Sequence, residues 1–240
     1  MNRIAKSLTR SLSRVFKNSQ TVRRCPICRW SGPQFELGGP HNKRRFDVRC
    51  PNCGSMERHR LAYLVAVECK NLDYSKVLHV APEKEISNWL RTKSKEYLSI
   101  DLYAEAMAKM DITNLELEDN SQTIIWASHV LEHVVEDRKA IAELYRVLEP
   151  NGIAFIQVPI WRTETLEDFR ITTSEDRLKQ FFQADHVRLY GLDIAERFED
   201  AGFSSEIFRA QDFGPSTLIE NGLSFASTNE VFVFQKVPVS

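Results

Sequence analysis

Between Asp119 and Pro159 the chain changes hydrophobic period twice. Thr123–Ala127 is an unbroken apolar run, short and rich in β-branched and aromatic residues, as expected of a strand buried on both faces of a parallel sheet. From Asp137 the apolar positions move to helical spacing at Ile141, Leu144, Tyr145 and Leu148, with charges on the opposite face. Pro150-Asn151-Gly152 cannot extend a helix and offers a residue free to take positive φ. Ile153–Val158 is a second apolar run, closed by Pro159. The pattern predicts one βαβ unit with a right-handed crossover.

The same signals extend in both directions. Glu57–Lys70 reads as a helix with Leu61, Leu64, Val65 and Glu68 in register, Lys76–Val80 as a first strand, and Tyr97–Asp101 as a second strand ending in an acid. After Pro159, residues 161–176 read as a polar flap with scattered aromatics. His186, Arg188 and Tyr190 alternate, so an extended backbone would put them on one side. Gly191–Ala201 is the last predicted helix, and Ser205–Ala210 with Glu230–Val237 are predicted to pair antiparallel at one edge. In open α/β sheets ligands bind beyond the carboxyl ends of the strands. That predicts the chemistry at Ser128-His129-Val130-Leu131-Glu132-His133.

The order "apolar strand, SHVLEHV, amphipathic helix ending RVLEPNG, strand ending in VP" resembles the class I S-adenosylmethionine (SAM) dependent methyltransferases, over roughly Lys76 to Val237. The resemblance implies a Rossmann-like α/β fold with a seven-stranded sheet, SAM as cofactor and methyl transfer as the reaction. It implies cofactor contacts from Asp101 and Leu102 toward the ribose, Asp111 and Ile112 toward the adenine, and Ser128 beside them. Where that family carries an acid and a glycine-rich loop, this chain reads His79-Val80-Ala81-Pro82-Glu83 with no glycine. Ala81 is then the smallest available stand-in, Pro82 pre-sets φ in the first helical turn, and Glu83 stands in for the missing acid. A bacterial subset of the family that joins CxxC knuckles, a CGSxERHR stretch and LHVAPE in this order is similar to the present chain.

Cys25-Pro-Ile-Cys28 and Cys50-Pro-Asn-Cys53 form two CxxC pairs, each able to present two thiolates to one ion. Together they predict a Cys₄ zinc ribbon. Four thiolates fill a tetrahedral zinc and leave no position for substrate, so the metal is read as structural. Cys69 falls on the apolar helix as a small hydrophobe. Three histidines are candidate proton acceptors: His129 and His133 at the end of the fourth strand, and His186. Each also has a plain structural reading, and methyl transfer from a sulfonium needs no strong base.

Charge is uneven along the chain. The formal net charge is −1, yet Met1–Arg24 carries +7 and no acid, which leaves −8 on the remainder. An acidic body argues against a nucleic-acid groove across the whole molecule. His41, Lys43, Arg44, Arg45 and Arg49, interleaved with Phe35 and Phe46, leave RNA as the alternative acceptor or partner, against the reading of a solvated loop. In residues 1–20, Ile4, Leu8, Leu12, Val15 and Phe16 share a helical face among basic residues, which suits either peripheral contact with an anionic membrane or a frayed tail. No apolar run reaches the roughly 18–20 residues of a membrane span. The expected organisation is a basic segment (1–20), a zinc ribbon (21–56) and a methyltransferase domain (57–240). The expected acceptor is a hydroxyl of a small molecule or glycan, and a non-catalytic scaffold is the alternative from another class. The expected location is cytoplasmic, with possible contact at the inner membrane surface.

Overall fold

A computed structural model describes residues 22–39, 44–223 and 230–238. The basic segment 1–20, and His41 and Lys43 of the loop between the knuckles, lie outside the described residues. Among those described, no helix is long and apolar enough to cross a membrane.

A seven-stranded sheet forms the centre. It contains β5 (Lys76–Val80), β6 (Glu96–Asp101), β7 (Ala108–Lys109), β8 (Gln122–Ser128), β9 (Leu148–Gln157), β13 (Phe203–Arg209) and β14 (Glu230–Lys236). Their spatial order is β13-β14-β9-β8-β5-β6-β7. Neighbours from β9 to β7 are parallel, while β14 runs antiparallel to both β9 and β13. The expected antiparallel pair is present, with β14 inserted between its partner and the parallel strands. All seven residues of β8 are buried, as an apolar run with no polar alternation requires.

Helices cover both faces. On one side α1 (Glu57–Glu68) and α2 (Lys84–Lys93) pack Leu61, Val65, Ile86 and Leu90 against Val77, Ile124, Trp126 and Phe155. On the other, α3 (Asp137–Val147) and α5 (Ile194–Glu199) pack Ile141, Leu144, Ile194 and Phe198 against Ile125, Ala154, Ile156 and Phe234. Fully burying each such side chain stabilises the fold by about 1.5–3 kcal/mol.

Four expectations change. The Pro-Asn-Gly turn lies inside β9, where residues 149–152 bulge out between the pairings Gln122↔Leu148 and Ile124↔Ile153. Asn151, not Gly152, takes the left-handed conformation, at φ +65°. Gly152 is required for space, because a Cβ there would stand 2.7 Å from the Leu148 side chain. Residues 161–176 are also not a simple flap. β10 (Ile160–Arg162) and β11 (Leu166–Glu167) flank β12 (Arg188–Gly191) in a small sheet, and α4 (Ser174–Phe181) begins at a Thr173 cap. The last predicted helix shrinks to α5, and a further helix, α6 (Gly214–Glu220), follows it. α6 buries none of its residues, so it leaves no hydrophobic period to read.

The amino-terminal ribbon is two hairpins, β1 (Arg23–Arg24) with β2 (Ser31–Gly32) and β3 (Glu36–Gly38) with β4 (Arg45–Arg49). It is fastened to the body by Arg60 of α1. That buried guanidinium donates to Ser55 O (2.6 Å), Val48 O (3.0 Å) and Asn221 O (2.6 Å), and lies 4.0 Å over the Phe35 ring.

Candidate active site and metal centre

The two CxxC pairs close on each other. Cys25 and Cys53 Sγ are 3.6 Å apart, Cys28 and Cys50 Sγ also 3.6 Å, and all four sulfurs lie within 4.8 Å. Thiolates at 2.3 Å from a tetrahedral zinc stand about 3.8 Å from one another, so the donor set fits zinc. Each knuckle turns the same way: Arg29 N donates to Cys25 O and Gly54 N to Cys50 O, and Arg29 and Gly54 both have positive φ. The hydrogen bond from Cys53 draws the Cys25 thiol down to about 4, against its burial, and pushes Cys53 up. Ser55 Oγ, 3.3 Å from Cys25 and 3.2 Å from Cys53, lies beside both sulfurs.

Near the same amino-terminal end of α1, the strand ends of the sheet gather the residues singled out by sequence. Ala81 follows β5 directly and takes φ +49°, with its N–H donating to Ile100 O (2.8 Å). A left-handed alanine costs about 1–2 kcal/mol, the strain a glycine would avoid. His129, following β8, repeats the device at φ +55°, its N–H donating to Gln157 O (2.8 Å). Two adjacent strands therefore end in strained left-handed residues. Such strain collects at functional sites.

Pro82 stands before the helix rather than inside its first turn, because Glu83 is itself the cap residue of α2. The Glu83 side chain does not cap the helix. Its Oε1 accepts from Arg58 (3.0 and 3.2 Å) and pairs with His59 Nε2 (2.8 Å), while Oε2 is buried without a hydrogen-bond partner. Burial opposes its ionisation, but the bond to His59 and the charge of Arg58 hold the carboxyl down to about 2. Arg58 and His59 belong to the ERHR stretch, which enters the sequence reading as the start of a helix and as part of the resemblance, with no role given to either residue. Four charged or titratable residues in succession, Glu57 to Arg60, open a helix that is otherwise mostly apolar, and that is the signal the sequence offers.

His79 does not reach the strand end. Its ring is buried on the α2 side of β5, with Nδ1 2.9 Å from Tyr97 Oη, and burial lowers it to about 4. Asp101 ends β6 and accepts the N–H groups of Tyr103 (2.7 Å) and Ala104 (2.6 Å) on Oδ1, which fixes the carboxylate beside half-buried Leu102. Asp111 lies just past β7, where Oδ1 accepts from the Thr113 N–H (2.8 Å) and hydroxyl (2.9 Å) in a local turn. Ile112 is buried in the core beneath it. Ser128 Oγ, also buried, donates to Gln157 Oε1 (3.3 Å).

The histidines converge, together with a residue that sequence gave no role. His129 Nδ1 is 3.1 Å from Oε1 of buried Glu132. The rings of His133 and His186 meet edge to face at 4.8 Å, and burial lowers the pKa of His186. Glu132 Oε2 and His186 Nδ1 are both buried without a partner. Arg188 and Tyr190 are absent from this group. Arg188, fully buried, donates to the carbonyls of Leu131 (3.0 Å), Val134 and Val135 (2.8 Å) and to Glu167 (3.0 Å), while Tyr190 Oη donates to Asp137 (2.6 Å). They brace the 131–137 segment from behind.

Residues 60–156 match the methyltransferase domain family. Solved structures share the fold at low identity. The YcgJ protein of Bacillus subtilis aligns with a TM-score of 0.52 at 15% identity, over 75% of this chain and 100% of its own. A chain of the complex between the Trm112 methyltransferase activator and a methyltransferase of Haloferax volcanii aligns at 0.51 and 12%, over 75% and 89%. A SAM-dependent methyltransferase of Mesorhizobium loti aligns at 0.50 and 14%, over 72% and 96%. No curated protein sequence matches the chain. The strand order and these likenesses identify the fold as that of the class I SAM-dependent methyltransferases, preceded by a four-cysteine cluster able to hold a metal.

Proposed function

We propose that the chain is a methyltransferase that moves the methyl group of SAM to a hydroxyl of a small molecule or glycan. The observation that carries the reading is the left-handed Ala81. The backbone takes at β5 the conformation that a glycine-rich cofactor loop needs, and keeps it at a cost in strain although the residue is alanine.

Asp101 would accept the ribose hydroxyls at the end of β6. Asp111 and Ile112 would meet the adenine, and the unpartnered Oε2 of Glu83 would face the ammonium. SAM, when bound, supplies a methyl on an already activated sulfonium, so much of the acceleration comes from aligning the acceptor in a dry site. An attacking hydroxyl must lose its proton. His129 suits that role, since an Nδ1–H donated to Glu132 leaves Nε2 as the basic nitrogen. The lining after β9 would come from the small sheet β10–β12 and α4, where Trp161 and Phe182 pair at 4.9 Å.

Calorimetry with SAM on the zinc-loaded chain tests the cofactor half. Asp101→Ala should weaken binding roughly ten- to a hundred-fold, since one or two charge-assisted hydrogen bonds are lost. A folded, zinc-loaded wild type that does not bind SAM would overturn the enzyme reading and leave a scaffold. A screen with labelled methyl donor over hydroxyl-bearing small molecules, glycans and RNA tests the acceptor; label appearing on RNA alone would overturn that half.

A further inference from the structure

We infer that Glu132, His133 and His186 form a second metal site, open to solvent, which takes a divalent cation of the zinc class beside the acceptor. One ligand atom from each of the three lies within 4.8 Å of the others. Two imidazoles and one carboxylate are the donor set of many catalytic zinc and non-haem iron centres, which leave positions for water or substrate. Ligands about 2.1 Å from one ion stand roughly 3–3.5 Å apart, so a modest side-chain rotation closes the set. His133, 34% exposed, is the member with room to turn.

Burial without a partner is the independent observation. Glu132 keeps one oxygen on His129 and holds the other, Oε2, buried and without a hydrogen bond; His186 Nδ1 is buried in the same condition. Leaving a buried polar atom unsatisfied costs about 1–3 kcal/mol, more for a charged group. A cation between them would satisfy both.

The surroundings fit ligation. His133 Nδ1 lies 3.3 Å from both the carbonyl oxygen and the carboxylate of Asp185. A carboxylate on one imidazole nitrogen fixes the tautomer that offers the other to a metal. The Val187 N–H donates to Glu132 O (2.9 Å), and Arg188 grips the carbonyls on either side of His133. The segments carrying the three ligands are thus bolted together before any ion arrives. Where the methyl-transfer reading holds, such an ion would bind the acceptor oxygen and lower the pKa of its hydroxyl, leaving His129 to take the proton.

The test titrates zinc chloride, and separately cobalt chloride, into the full chain with its four-cysteine site already filled. Wild type should bind one further equivalent per chain. His133→Ala, at an exposed position, should lose that equivalent, and Glu132→Gln, which keeps shape but removes charge, should weaken it at least ten-fold, both with the cysteine-bound metal unchanged. A wild type that takes up no further equivalent, or a further equivalent that survives His133→Ala, would overturn the site. Neither measurement uses SAM. Metal uptake without SAM binding leaves this site standing and removes methyl transfer, and the reverse result does the opposite.

Discussion

His59 Nε2 lies 2.8 Å from Glu83 Oε1, so the helix that leaves the zinc knuckles is tied directly to the loop after the first strand of the large sheet. Arg58 holds the same oxygen from the adjacent position. The helix that follows the ribbon and the expected cofactor loop are therefore joined through a single carboxylate, whose own exposure is 14%.

Replacing that carboxylate should be felt in stability and in its pH dependence. The folded group titrates at about 2 and the free one at 4.5, so its contribution is present above pH 4.5 and is lost as pH falls toward 2. The shift corresponds to at most about 3 kcal/mol at neutral pH. Glu83→Gln should lower the urea midpoint at pH 7 by an amount equivalent to about 1–3 kcal/mol. Its gap from wild type should then narrow below pH 4.5. A gap of constant size from pH 7 to pH 3 would mean that the charge does not stabilise the fold.

Metal in the ribbon and Arg60 in the body should act through the same segment. Two of the three carbonyls that Arg60 binds, Val48 and Ser55, flank the second knuckle, Cys50–Cys53. Arg60→Met strands these carbonyls and should cost about 3–5 kcal/mol. Zinc binding is coupled to the folding of its ribbon, so chelation should destabilise the chain as well. Because both act on residues 48–55, the two losses should add to less than their sum by about 1 kcal/mol or more, measured as thermal or urea unfolding with and without chelator. Strict additivity would show that the ribbon and the body unfold independently.

What could be read from sequence divides along physical lines. Buried strands announce themselves, since Thr123–Ala127 and Ile153–Val158 are mostly apolar runs, and the cysteine spacing fixes a ligand set without help from the fold. Charges bound to distant carbonyls leave no such mark. Arg60 and Arg188 look like surface residues until the segments they clamp, up to 161 positions away, are brought beside them. The same holds for Glu132 and His186, which meet where Arg188 and the Val187 N–H hold β12 against the 131–135 turn. Asp111 has an adenine role in sequence only through the resemblance, and its bonds to Thr113 give it a local turn role without removing the other oxygen from use.

Ala81 offers the sharpest test of the strand-end strain. A glycine there would accept φ +49° freely, while raising the entropy of the unfolded chain by about 0.4–1 kcal/mol. Left-handed strain in alanine is worth about 1–2 kcal/mol, so relief should win and Ala81→Gly should stabilise the fold by several tenths of a kcal/mol to about 1. Ala81→Val should do the reverse, because a β-branched residue is a severe outlier at positive φ. The Val80–Pro82 backbone would then leave its bond to Ile100 O, displacing Glu83 from Arg58 and His59. Urea unfolding of the three proteins measures the first effect, and calorimetry with SAM the second: Ala81→Gly should bind at least as tightly as wild type, and Ala81→Val at least ten-fold more weakly. A destabilised Ala81→Gly would mean that the Ala81 methyl group makes contacts worth more than the strain. Equal SAM affinity in all three would remove this turn from the cofactor site.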